Sequence, residues 1–254
     1  MPENGEITAN IDHNIATIEF YHPKGNSMPG RLLDELTQTI TETGSKEYVK
    51  VIVLKSRGEG AFCGGASFDE LIAIDSSQEG KDFFMGFANV LNAIRQCPRL
   101  IIVRVQGKTV GGGVGLAAAG DYTIAHESAA VKLSELALGI GPFVVGPAVE
   151  RKVGTSALST LSVDAGSWNS AKWAHEKGLY SKLCKSNKEL DDAVDSLAKQ
   201  LSDYSPEAMK ELKKMFWKGT EHWDELLEER AEISGRLVLS DFTKAFIRDF
   251  KNSK

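Results

Sequence analysis

Cysteine is scarce: Cys63, Cys97 and Cys184 are the only three in 254 residues. An odd number without paired spacing excludes a disulfide framework and argues against a zinc site, and it fits a reducing cytoplasm. Positive charge is not in excess. Thirty Lys and Arg against 35 Asp and Glu give a formal net charge of -5, so no broad attraction for nucleic acid or an anionic membrane is expected. Long apolar runs are missing too, since no uninterrupted stretch approaches the ~18 residues of a membrane span. The segment MPENGEITANIDHN is polar and acidic without a basic flank, so no signal peptide is expected. The five histidines, His13, His22, His126, His175 and His222, are scattered, and no metal is implied.

What is present is an ordinary globular composition, 42% hydrophobic and 26% charged, long enough for one large domain or two small ones. Ala16, Ile18 and Phe20 alternate at period two and predict a strand. Leu32, Leu33, Leu36 and Ile40 follow at helical spacing. The runs VKVIVLKS (49 to 56) and LIIVRVQG (100 to 107) are rich in β-branched residues, as in strands buried on both faces, with a helix expected over 81 to 96 between them. DYTIA (121 to 125) is a further short strand candidate. This alternation predicts an α/β core of stacked parallel units up to about residue 150. The last third is helical in pattern, with Ser205 as an N-cap, Pro206 at the first helical position and Leu190, Val194, Leu197 and Leu201 marking the helix before it. Phe216, Trp217, Trp223, Phe242, Phe246 and Phe250 recur at helical spacing, which suits a core or a subunit interface.

Each long strand ends in a glycine-rich turn, SRGEGAFCGGASFDEL and GKTVGGGVGLAAAGD. Ligands of α/β folds sit at the carboxyl ends of strands, with helix N-termini directed at them. Two unshielded backbone N–H groups, one per turn, can converge on a single oxygen, and small residues let a carbonyl approach. For a single glycine, a tight turn or close helix packing is the simpler explanation. A phosphate loop is disfavoured because no Gly-Lys-Ser/Thr follows GGGVG.

At these residues the chain resembles the crotonase (enoyl-CoA hydratase/isomerase) superfamily. HPKGNSM, AFCGGASFDEL, VGGGVGLAAAGDYTIA, KLSELALGIGPFVVGPAVERKVG and SAKWAHEKGLYSKL resemble that family's motifs in order and spacing. The resemblance implies an α/β fold of repeated ββα turns, with a spiral core over 1–195 and a C-terminal helical trimerisation region over 196–254. It also implies a homotrimer or dimer of trimers acting on acyl-CoA thioesters through an enolate, with coenzyme A as part of the substrate and no separate cofactor. The oxyanion donors would be the N–H groups of Gly64 and Gly112. Lys24, Ala61, Ala66, Ser67 and Phe68 would lie along the substrate, and Phe250 and Lys251 would reach it from a neighbour. Gly115 and Leu138 complete the expected substrate contacts.

Hydratases of the family carry two glutamates. The first falls on Gly115 and is missing; the second falls on Glu135 in KLSELALGI. One carboxylate suffices to take a proton from a bound thioester and return it elsewhere, whereas holding a water favours two groups. The resemblance with Glu135 alone therefore implies a 3-enoyl-CoA to 2-enoyl-CoA isomerase. The alternatives are a one-glutamate hydratase and a catalytically silent acyl-CoA-binding protein. Leu133, Leu136 and Leu138 would raise the pKa of Glu135 if they face the pocket. Asp69 and Glu70 offer a displaced second acid, although capping of the next helix explains them more simply. Cys63 has no basic neighbour in sequence to activate it as a nucleophile.

Overall fold

The computed structural model describes residues 2–252, with side chains described for residues 2–249. Its centre is a six-stranded sheet, β1 (Glu6–Asp12), β2 (Ile15–Tyr21), β3 (Val51–Ser56), β4 (Leu100–Val105), β6 (Tyr122–His126) and β8 (Lys182–Cys184), in the order β1-β2-β3-β4-β6-β8. All neighbours from β2 onward are parallel, and β1 is antiparallel to β2. Nothing in the sequence pattern singled out β1. It is an edge strand with a largely exposed face, so its residues carry no clean alternation. His13 and Asn14, both at positive φ (45° and 67°), turn the chain into β2.

Alternation on the buried strands divides the core. Ile52 and Leu54 of β3 and Ile101 and Val103 of β4 face the large cluster beneath α1 (Gly30–Ser45) and α3 (Ser77–Gln96). Val51, Val53 and Ile102 face the opposite layer, where α7 (Asn187–Ser202) sets Leu190, Val194 and Ala198 against the sheet. Covering a strand on both faces is what makes its sequence a continuous apolar run. Each fully buried Leu or Ile here contributes about 1.5–3 kcal/mol relative to exposure.

A second, shorter ladder runs beside the main sheet. Met28 bridges Ala66, Cys63 bridges Thr109, β5 (Thr109–Val110) pairs with β7 (Val131–Lys132), and Val131 bridges Asn169. Successive turns of the chain therefore place a long strand, a short ladder segment and a helix: α1, then α3 after the one-turn α2 (Phe68–Leu71), then α4 (Gly112–Ala119) and α5 (Gly146–Val163). This is the expected ββα repetition.

The helix α6 (Ala171–Glu176) precedes β8, and α7 runs without a break across residue 195, so the expected division between core and helical region falls inside one helix that packs on the sheet. Beyond it come α8 (Pro206–Phe216), α9 (Trp223–Leu237) and α10 (Asp241–Asn252). Ser205 caps α8 by accepting the Ala208 N–H. Helix α9 crosses α3 at Gly80 and Gly235, where a Cβ on Gly80 would stand 2.7 Å from the Gly235 Cα; only glycine permits this approach. The C-terminal helices thus pack on the core of their own chain. Trp217 and Trp223 stack edge to face at 5.6 Å and are buried, whereas Phe216 and Phe242 are exposed. No helix among the described residues is long and apolar enough to cross a membrane.

Candidate functional site

The two glycine turns meet backbone to backbone. Phe62 N–H donates to Lys108 O and Val110 N–H to Cys63 O, each at 2.9 Å. A Cβ on Gly65 (φ 88°) would lie 3.2 Å from Val110 O and 3.8 Å from the Gly112 nitrogen, and one on Gly113 would lie 2.7 Å from the Cys63 Cβ. The other turn's main chain is thus what comes too close to these glycines for side chains to fit.

This zipper sorts the amides. The Gly64 N–H donates to Gly25 O at 3.1 Å and is already committed, which corrects the expectation that Gly64 is a donor to substrate. Two residues on, Ala66 is different: its neighbours Gly65 and Ser67 are tied to Met28 through Met28 N–H to Gly65 O (2.8 Å) and Ser67 N–H to Met28 O (3.3 Å). The Ala66 N–H itself meets no acceptor among the described residues, and neither does that of Gly112, the first residue of α4. Both residues line one cavity of about 180 Å³. Unpaired amides at a helix start and a neighbouring turn form a ready pair of donors for a developing negative oxygen.

Glu135 stands across this cavity, at the start of a 3-10 turn, Glu135–Leu138, closed by Gly139 at φ 81°. Residues of α10 pack on that turn: a Cβ on Gly139 would meet Phe242 at 2.5 Å and Thr243 at 2.6 Å. Gly111 (φ 53°) leaves room for the carboxylate, because a Cβ there would stand 3.0 Å from the Glu135 Oε1. Glu135 Oε2 is buried with no hydrogen-bond partner. Burial pushes its pKa up to about 7, with its own backbone amide opposing the shift. Leu138 lines the cavity and Leu133 is buried, but Leu136 is 48% exposed and does not take part in this desolvation. Glu135 is the only ionisable side chain among the described residues lining the cavity.

The other expected acids are engaged elsewhere. Asp69 pairs with Lys24, and the Glu70 Oε2 accepts the Gly30 N–H at 2.8 Å where α1 begins. Lys24 and Ala61 do not line the cavity; the Ala61 carbonyl accepts from the Asn26 side chain at 2.9 Å and holds the turn in place. Ser67 and Phe68 do line it, although the Ser67 hydroxyl also caps α2 by accepting the Glu70 N–H. Phe250 and Lys251 have side chains outside the described residues. Cys63 is fully buried, its thiol pushed up to about 12 by desolvation, so it is no nucleophile at neutral pH.

Gly115, expected as a substrate contact, does not line the cavity. It is buried within α4, and a Cβ there would fall 2.6 Å from the Val145 Cγ1; Val145, not Gly115, lines the cavity. The sequence pattern does not mark the remaining wall. Phe83, Phe84 and Phe87 come from α3, and Phe87 lies so close to Gly112 that a Cβ there would meet its ring at 2.2 Å. The signal was present in KDFFMGF, three phenylalanines within one turn and a half of a helix, but periodicity alone assigns such residues to core.

A family model described as enoyl-CoA hydratase/isomerase matches residues 10–247. A probable enoyl-CoA hydratase of Bacillus subtilis is 27% identical over 246 residues, 96% of this chain and 95% of its own. A trans-2-decenoyl-[acyl-carrier-protein] isomerase of Streptococcus mutans is 23% identical over 98% of this chain and 96% of its own. Among solved structures, an enoyl-CoA hydratase from Bacillus halodurans superposes with a TM-score of 0.88 at 20% identity, covering 96% of this chain and 99% of that one, a likeness in fold.

Proposed function

The chain belongs to the enoyl-CoA hydratase/isomerase family, the crotonase superfamily, and from that premise we propose that it is an enoyl-CoA isomerase working with one glutamate. The observation that carries this reading is Glu135 as the sole ionisable lining group among the described residues, raised to about 7, opposite two unpaired amides.

In the proposed reaction the thioester oxygen of a 3-enoyl-CoA accepts from the N–H groups of Ala66 and Gly112. Glu135, ionised, removes a proton from C2; the electrons move into the carbonyl and the charge on oxygen is held by the two amides. The same carboxyl group returns the proton to C4, leaving the double bond between C2 and C3. No atom is gained or lost, and no second acid is required. A carboxyl poised near 7 suits both removal and return of a proton at neutral pH. Coenzyme A enters as part of the substrate, with no separate cofactor. Assembly as a homotrimer or dimer of trimers belongs to the same proposal, and exposed Leu212, Met215 and Phe216 on α8 offer apolar surface for it.

Purified protein mixed separately with a 3-enoyl-CoA and a 2-enoyl-CoA tests the reading. Growth of the ultraviolet band of the conjugated thioester from the first, without 3-hydroxyacyl product from the second, is expected. The hydratase relatives supply the rival: hydration without isomerisation would assign the chain to that reaction instead.

A further inference from the structure

We infer that the acyl end of this cavity is a size gate, closed by Val145 and Phe87, that selects compact acyl groups of about six carbons; the inference rests on the thioester reading of the site. The space next to α4 that lacks a side chain at Gly115 is not left open for substrate, because the Val145 Cγ1 sits 2.6 Å from where a Cβ on Gly115 would be. Val145 is 4% exposed and precedes the first residue of α5, so its position is set by the helix start rather than by a mobile loop. Phe87, 6% exposed, rests its ring on Gly112, one of the two amides assigned to the carbonyl. Ile140 and Val144, each buried, line the same cavity.

Volume decides the substrate class. The cavity measures about 180 Å³. An apolar protein cavity of about 150 Å³ accommodates a benzene ring, so this one holds an acyl group of about six carbons, its carbonyl included. Rigid, β-branched and aromatic walls resist expansion for a longer chain, because forcing extra methylenes into a packed interior displaces side chains from their rotamers. Burying each methylene while the cavity is still filling is worth about 0.8 kcal/mol, or about fourfold in affinity.

Saturated acyl-CoA esters bind without reacting, so calorimetry with butyryl-, hexanoyl-, octanoyl- and decanoyl-CoA separates binding from turnover. The expected result is affinity rising about fourfold per methylene from four to six carbons and no further gain, or a loss, from eight to ten. In Val145→Ala the rise should extend to eight carbons. A continuous rise to decanoyl-CoA in the unaltered protein overturns the gate whether or not the variant folds, and so does an unchanged length profile in a folded Val145→Ala. If no ester binds, the thioester reading falls and the gate with it. If all bind without length preference, the gate alone falls.

Discussion

Gly115 and Val145 occupy one volume: a Cβ on the glycine would stand 2.6 Å from the valine Cγ1 and 2.9 Å from its Cβ. The glycine's cost within a helix, about 1 kcal/mol against alanine, is balanced by what Val145 buries in the vacant space. Gly115→Ala is therefore expected to destabilise the protein by roughly 1–3 kcal/mol despite the better helix propensity, because Val145 belongs to a rigid helix start. Val145→Ala removes the 2.6 Å contact with Cγ1 but keeps the Cβ at 2.9 Å, so it relieves the clash in part and the double variant is expected to be more stable than the sum of the single changes by about 1 kcal/mol. Urea denaturation of the four proteins measures the coupling; strict additivity would refute it.

In the proposed reaction Glu135 links activity to pH. Burial raises its pKa from the ordinary 4.5 to about 7, and the base must be ionised to act. The kcat/KM for isomerisation is expected to climb with pH and level off above about 7. Glu135→Gln should lower turnover by about 10²- to 10⁴-fold while acyl-CoA binding persists. Retained activity in that variant would remove Glu135 from the mechanism.

The same carboxyl group costs stability in the alkaline range. Between 4.5 and about 7 the unfolded chain has released a proton that the folded chain keeps, so stability falls as pH rises through that window and stays lower above it. Glu135→Gln abolishes the difference. The variant is expected to be more stable than the parent above pH 7 by up to on the order of 3 kcal/mol, and level with it at pH values below about 4.5. Thermal unfolding at several pH values reads this directly, and a parallel pair of curves would contradict it.

Asp121 and Lys213 form a buried ion pair at 3.0 Å, their side chains 4% and 3% exposed. The carboxylate also accepts from Ile101 N–H at 2.8 Å and from the Trp217 indole at 3.1 Å, so it ties α8 to the sheet. Lys213→Met leaves that charge buried without its partner and should destabilise by about 3–5 kcal/mol. A loss below 1 kcal/mol on urea unfolding would mean that water replaces the lysine.

All three cysteines are buried, and desolvation raises each thiol. Iodoacetamide at pH 8 is expected to leave the folded protein unlabelled and to modify three sites after denaturation. Rapid labelling of Cys63 in the native state would show that the first glycine turn opens.

The sequence by itself determined the alternating strand and helix order, the helical final third, the two glycine turns and the position of Glu135. Each is written in local signals: period-two or helical spacing, caps, β-branched runs, and motifs in register. Only the tertiary structure decided which amide is available. Gly64 and Ala66 are two residues apart in the same turn, and the distant Gly25 carbonyl takes the first while the second meets no acceptor. Likewise Leu136 and Leu138 read alike in sequence, yet one faces outward and the other lines the cavity. The filling of Gly115 by Val145, thirty positions away along the chain, lies beyond any periodicity, since packing couples residues through space and spacing records only neighbours along a chain.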